Sequence, residues 1–501
     1  MLDVLVVGGG PVGMMLGVEL ARRGVSFEIA ESKLCRDRYC KALGVAPRTL
    51  EILDILGLLE QAHRRGMYFA AMNIVGDGQL LHRTNAQDDS LPYGHLGLAQ
   101  PDIEDILERS LGRHGYRVSM GKTLVRLEQD STQVTARFED GTELHARYLV
   151  ACDGAHSTVR KQLQVPFEGE RFERTFLLGD VHLDWDRPHN ENWQFILSEN
   201  GQLRNVVVVI GNPTAPGRYR VSTSVSDDED CPEQPSLEFL SRLISPALPE
   251  GTKITDLRWS SRYSISHRLA ADYRQGRVFL AGDAAHIHPP IGGLGMNTGL
   301  QDAFNLGWKL AAVCSGELPE SVLGTYHAER HPVGQKVVEV TGARMRRTMG
   351  QPPAPEPEGF DTQLGIRYQP GLLVAPPADG LVGPKTGQRM PSLELSRPRS
   401  HGRIRTAELM RDGRFHLFSY LDEVGDFQRV AEAVLGKAVR VWEIHSQEVS
   451  DLELNYFLDQ ASEWRGTFGP GVVLVRPDSV IAWRGRVPKQ LEGWLNGLKK
   501  G

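Results

Sequence analysis

Three acidic residues in this chain each close a strand-like apolar run: Glu31 after "VSFEIA", Asp153 after "RYLVAC" and Asp283 after "VFLAG". A carboxylate at such a strand end accepts hydrogen bonds from sugar or polyol hydroxyls. Glycines beside it let bare backbone amides approach a flat or phosphate-bearing ligand. The densest of these stretches, "RVFLAGDAAHIHPPIGGLGMNTGLQDA" from residue 277 to 303, passes through Pro289, Pro290, Gly292, Gly293 and Gly295 before helical spacing resumes. The chemistry on offer is the binding of a large ligand that carries hydroxyls, phosphates and a planar ring.

The elements that must hold such a ligand begin at the first residues. Leu2 to Val7 reads as a strand buried on both faces, and it runs into Gly8-Gly9-Gly10-Pro11-Val12-Gly13, a G-x-G-x-x-G pattern. "VGMMLGVELARR" then carries helical spacing, and Gly24 stands where a helix stop is expected. Gly8 suits the tight turn, Gly10 the approach of backbone to pyrophosphate, and Gly13 the close packing of helix on strand, while the helix N-terminus favours negative charge. Glu31 stands where a carboxylate holds a ribose. This motif alone does not separate FAD from NAD. A nicotinamide dinucleotide on a simple unit needs one strand-end site, whereas an extended FAD needs contacts at both its adenosine and its ribityl-flavin ends, so three sites favour FAD.

In combination these stretches resemble the class A flavoprotein aromatic hydroxylases, the family of para-hydroxybenzoate, phenol and polyketide hydroxylases. The likeness rests on Gly8 to Gly13 with Glu31, on "DGAHSTVR" (153 to 160), on "GDAAHIHPPIGGLGMNTGLQDA" (282 to 303), and on "APRTLEILDILGLL" and "LAQPDIEDIL". It covers about residues 1 to 350. The resemblance implies non-covalent FAD, with NADPH or NADH as co-substrate. It gives Asp283 the ribityl hydroxyls and gives the backbone amides of Met296 and Asn297, next to Gly295, the flavin's pyrimidine edge. Gln100 falls at a flavin-contact position. Asp153, Gly154 and Arg160 would serve both FAD and the nicotinamide donor, there being no second Rossmann unit. Pro289, Pro290, Ile291, Gly292 and Gly293 would wall the substrate pocket. Many relatives carry Arg where this chain has Lys41, which keeps the charge and loses the planar fork.

The implied fold is α/β: a Rossmann-like FAD-binding domain from 1–165 and 266–350, an antiparallel-sheet substrate domain at 166–265, a linker at 350–360 and a thioredoxin-like domain at 361–501. Alternating segments such as "NWQFILS" and "NVVVVIG" support the sheet, and "GQPPAPEPEG" supports the linker. Long helices are expected at about 296–315 and 319–348. All five cysteines precede residue 315, which excludes dithiol chemistry in the last domain and leaves it packing or association, with a homodimer as one form.

Composition narrows the partners. A net charge of -6 and pI near 6.3 leave no basic face for nucleic acid. No apolar run reaches the roughly 20 residues that span a bilayer, and the N-terminus enters a strand without a signal-peptide pattern, so a cytoplasmic protein is expected. His286 and His288 form an HxH pair, yet further ligands are not evident nearby and no metal is expected. "SDDED" (226 to 230) reads as a solvated turn, and "YHAERHP" (326 to 332) as a helix cap. No residue is assigned a catalytic role. The expected reaction is hydroxylation of an aromatic or polyketide-like small molecule with NAD(P)H and O2 through a flavin C4a-hydroperoxide. A Baeyer-Villiger or antibiotic-inactivating monooxygenase is the alternative, and a non-catalytic flavin-binding scaffold a more distant one. A flavin halogenase is disfavoured because no tryptophan lies in a W-x-W-x-I-P context.

Overall fold

The computed structural model describes residues 1–500 apart from 38, 87–92, 200–201, 226–229, 349–353, 401, 422–423 and 449–455. Most of the acidic run at 226–230 and part of the proline-rich stretch lie outside the described residues.

The apolar run Leu2–Val7 is the middle strand of a parallel set. In space the order is Val278–Leu280, Glu143–Ala151, Leu2–Val7, Phe27–Glu31 and Val118–Met120. Val7 registers with both Ala30 and Ala151, and Ala151 with Leu280. Parallel strands end on one edge of their sheet, so this register gathers Gly8, Glu31, Asp153 and Asp283 there, at residues far apart in sequence. Helices Pro11–Ala21 and Leu294–Cys314 cover the sheet.

A second, eight-stranded sheet stands against that edge. Its order is His286–Ile287, Lys253–Ala270, Phe167–Asp184, Arg218–Val225, Gln202–Gly211, Glu191–Glu199, Ala71–Gly76 and Gln79–Asn85. Side chains alternate across a strand. Leu177, Val207, Val209 and Val221 are fully buried on the far face, where Leu240 and Ile244 of helix Leu237–Ile244 pack. The intervening Phe176, Leu178, Val206, Val208, Ile210 and Ser222 are only half-buried on the near face.

The C-terminal part forms a seven-stranded mixed sheet in which Phe415–Tyr420 pairs parallel with Val439–His445 and antiparallel with Gly471–Val475. One continuous buried apolar cluster includes both Val4 and Leu498. The seam between the C-terminal sheet and the helices under the first sheet is also charged. Arg476 bonds Glu329 at 2.6 and 2.9 Å and Asp478 at 2.5 Å, Lys309 bonds Glu329 at 2.7 Å, Arg389 pairs with Glu51, and Arg405 and Arg411 pair with Asp54.

Two local readings are corrected here. The second long helix starts at Thr325, because the residues after Pro319 form a tight 3-10 turn, Glu320–Gly324. "YHAERHP" therefore lies inside that helix rather than capping it, and two of its residues, Glu329 and Arg330, are buried ion-pair members.

Candidate active site

Gly8 has φ near +111°, a region that L side chains rarely adopt, and its N–H donates to Ala30 O at 2.8 Å. A Cβ on Gly13 would stand 2.0 Å from Gly8 O, so only glycine lets the helix start this close to the strand. Gly13→Ala is expected to lower the thermal unfolding temperature and flavin content together; unfolding like the parent would show that the turn yields. A Cβ on Gly10, by contrast, meets nothing within 4 Å. The space before the helix N-terminus is open, as a pyrophosphate requires. Pro11 opens the helix and Val12 packs beside Gly282. Glu31 accepts from Gly9 N at 2.7 Å and from Lys33 N at 2.9 Å, which orients its carboxylate at the strand end.

Asp153 accepts from the amides of Thr158 and Val159 at the start of helix Thr158–Gln162, while its second oxygen is buried with no partner among the described residues. Burial pushes this carboxyl above the usual range against the pull of Ser157 and nearby amides. Gly154 is left-handed at φ 79°. Arg160 is buried and donates to Ala284 O at 2.8 Å and Ala155 O at 2.9 Å, so its guanidinium bridges the Asp153 and Asp283 turns.

Asp283 sits in the 3-10 turn Gly282–Ala284 and is exposed, with no hydrogen bond or ion pair among the described residues. Desolvation raises its carboxyl above the ordinary value, opposed by His286. Beneath the turn, fully buried Asp302 accepts from Gly282 N at 3.2 Å, from His286 Nε2 at 2.7 Å and from Arg330 Nε at 2.7 Å. Both ends of the turn are thus held from one carboxylate. Arg330 continues to Thr298 O and Tyr368 Oη.

Helix Leu294–Cys314 begins behind left-handed Gly293, so the first-turn amides around Gly295 and Met296 have no intrahelical partners. Asn297 fixes that end: its Oδ1 accepts from Ala46 N at 2.9 Å and its Nδ2 donates to Gly44 O and Gly293 O. His288 donates from Nδ1 to Pro289 O at 2.9 Å, and burial lowers it to about 4, which keeps the ring neutral at pH 7. Gln100 opens helix Gln100–Arg113 and bonds Glu104 at 2.8 Å. Lys41 is exposed and pairs with Asp37 at 2.9 Å, while its carbonyl accepts from Arg220.

On the substrate side, Ile291 packs with Phe172, Ile265 and Met345, beside Phe176 and Tyr263. A Cβ on Gly292 would stand 2.6 Å from an Arg344 nitrogen, and Arg344 itself pairs with Glu356 and Asp361. The 289–293 turn therefore meets the near face of the second sheet on one side and the segment after residue 353 on the other. Sequence reading missed Asp302, Arg330 and Arg344. The polar residues Asp302, Asn305 and Lys309 at helical spacing within an otherwise apolar stretch were the available signal.

A dinucleotide cradle whose strand-end acids gather on one sheet edge, with an antiparallel sheet alongside, fits a flavin-binding protein. Comparisons with known proteins agree. Residues 1–341 match the family described as FAD binding domain, and residues 383–498 match the aromatic-ring hydroxylase C-terminal family. Rifampicin monooxygenase of Streptomyces venezuelae is 35% identical over 98% of this chain and 97% of its own length. The 12-dehydrotetracycline 5-monooxygenase/anhydrotetracycline 6-monooxygenase of Streptomyces rimosus is 31% identical over 99% and 98%. Among solved structures, the ternary complex of aklavinone-11 hydroxylase with FAD and aklavinone superimposes with a TM-score of 0.83 at 28% identity, covering 100% of this chain and 99% of that one. The chain belongs to the FAD-dependent aromatic-ring hydroxylase family. It is a monooxygenase that uses FAD and NAD(P)H on an aromatic or polyketide-like substrate. Among the described residues no helix is long and apolar enough to cross a membrane.

Proposed function

We propose that this enzyme inserts one atom of O2 into a planar multi-ring phenolic substrate held between the 289–293 turn and the near face of the second sheet. The observation that carries this reading is the half-buried apolar face of Phe176, Leu178, Val206, Val208 and Ile210. It is broad enough to cover several fused rings, whereas a single phenol would leave most of it wet.

Glu31 and the Gly8–Gly13 turn would hold the adenosine ribose and pyrophosphate of FAD, Asp283 the ribityl hydroxyls, and the first-turn amides at 295–297 the pyrimidine edge. Asp283 fits that task because it is an outward acceptor with no protein partner among the described residues. Bound FAD supplies hydride acceptance from NAD(P)H and the activation of O2. The protein's part is placement: Asp302 and Arg160 fix the turn, Asn297 fixes the helix start, and the apolar face excludes water from the reacting edge. Residues 1–165 and 266–350 form the FAD-binding part, 166–265 the bulk of the substrate sheet, and 361–501 a thioredoxin-like unit in a packing role.

Incubation with NAD(P)H, 18O2 and a panel of hydroxylated polycyclic aromatics should place one heavy oxygen in a product. Label arriving from water, or a reduced product with no oxygen gained, would sink the reading. The likeness to rifampicin monooxygenase favours rifampicin as a second candidate substrate, and adding it to the same panel separates the two.

A further inference from the structure

On the near face of the second sheet a polar strip runs beside apolar side chains. Arg220 and Ser222 stand two residues apart on strand Arg218–Val225 and therefore share a face. Across the intervening strand, Tyr263 Oη lies 3.1 Å from Ser222 Oγ. The Tyr263 ring packs on Phe176 at 5.8 Å between centroids, and both border the same small apolar cluster as Ile291 of the 289–293 turn. At the other end of the strip, Trp259 stacks on Tyr39 at 5.3 Å.

Arg220 is the unusual member. One guanidinium nitrogen donates to Lys41 O at 2.7 Å, but its Nε–H is buried with no partner among the described residues. Among those residues no carboxylate lies within ion-pair distance of it. Asp180, opposite it in register, is taken by Arg218. A half-buried cation without a counter-charge is costly, and an anionic oxygen would relieve it through a charge-assisted bond. The Ser222 and Tyr263 hydroxyls can each donate or accept, so together they suit a neutral oxygen beside it. Burial raises the Tyr263 phenol, against Ser222 and Arg220, which keeps it a protonated donor at pH 7.

We propose that Arg220, Ser222 and Tyr263 are specificity-determining residues that read an acidic hydroxyl and a neighbouring carbonyl on one edge of a planar multi-ring substrate. This rests on the placing of the substrate between the turn and the sheet. Arg220 favours the ionised hydroxyl, the electron-rich form that an oxygen-transfer reaction needs. The Ser222–Tyr263 pair fixes which edge faces the turn.

The test titrates the FAD-loaded enzyme with 1,8-dihydroxyanthraquinone and with anthraquinone, following the flavin absorption band. The wild-type protein should prefer the dihydroxy compound by about tenfold or more, or about 1.4 kcal/mol. Arg220→Gln and Tyr263→Phe should each reduce that preference below about threefold while FAD content stays at the wild-type level. Arg220→Gln should also move the pH midpoint for binding the dihydroxy compound upward, and Arg220→Lys should restore the midpoint more fully than the affinity, because lysine keeps charge without the fork. If either variant loses FAD, Ser222→Ala carries the comparison. Equal binding of the two compounds by the wild-type protein, or an unchanged preference in FAD-replete variants, overturns the proposal. Incorporation of label from 18O2 into substrates with and without hydroxyls alike would sink this inference and leave the monooxygenase reading standing; absence of label would sink that reading instead.

Discussion

Arg476→Ala is expected to destabilise the protein by about 3–5 kcal/mol, the cost of removing one partner from a buried ion pair. Arg476 is fully buried, bonds both oxygens of Glu329 and reaches Asp478, and its guanidinium stacks 5.3 Å from the Trp308 ring centroid. Its removal leaves two carboxylates inside the seam with Lys309 alone. Arg476→Lys keeps the charge but not the two-point contact and should cost less. Chemical denaturation measures both, and an alanine variant within about 0.5 kcal/mol of the parent, the range of ordinary surface substitutions, would show that the seam carries no stability.

The same network predicts acid sensitivity. Burial works to raise Glu329, but Arg476 and Lys309 outweigh it, and the carboxyl falls to about 2 from an ordinary 4.5. A carboxyl lowered on folding contributes stability that is complete above its unfolded value and is lost as pH falls through the folded one. The window is therefore pH 4.5 down to about 2, and Arg476→Ala should flatten stability across it. A chain cut near residue 355 would lose C-terminal partners of Glu329, Glu51 and Asp54 together. It is expected to be insoluble or unfolded, a larger effect than the packing or association role read from the absence of cysteine in the last domain implies.

Asp283→Asn is expected to move two properties in opposite directions. Hydrogen bonds to a charged acceptor contribute about 1.5–3 kcal/mol each, so FAD affinity should fall at least about tenfold, read by ultrafiltration or by recovery of flavin fluorescence. The flavin-free protein should become more stable. Its Asp283 carboxyl is raised on folding by desolvation, so ionisation at neutral pH opposes folding, and stability is lost as pH rises from the ordinary value through the raised one. A neutral amide removes that term. Weaker flavin binding with a higher unfolding temperature of the apoprotein would mark Asp283 as a group strained for its ligand. Undiminished flavin occupancy would remove it from the site.

What the sequence determined by itself was local: the strand Leu2–Val7, the glycine turn behind it, the acids at three strand ends, the alternating segments of the second sheet and the family likeness. Apart from the likeness, which combines motifs across about residues 1 to 350, each is a matter of spacing within about 30 residues, where backbone geometry leaves few choices. That Glu31, Asp153 and Asp283 share one edge follows from parallel register across 250 residues, and only the fold supplies it. Lys41 could be given a flavin contact from its position in a motif, yet its side chain pairs with Asp37 on the surface. The roles of Asp302, Arg330, Glu329 and Arg476 were illegible for a related reason. A charged residue gives no local sign of its role until the partner that cancels its charge is known, and these partners lie up to 147 positions away. Arg220 shows the converse. Nothing in "RYRVSTSV" distinguishes it from a solvated arginine, and only the tertiary structure, by burying its Nε–H without a partner among the described residues, marks it as a group waiting for a ligand.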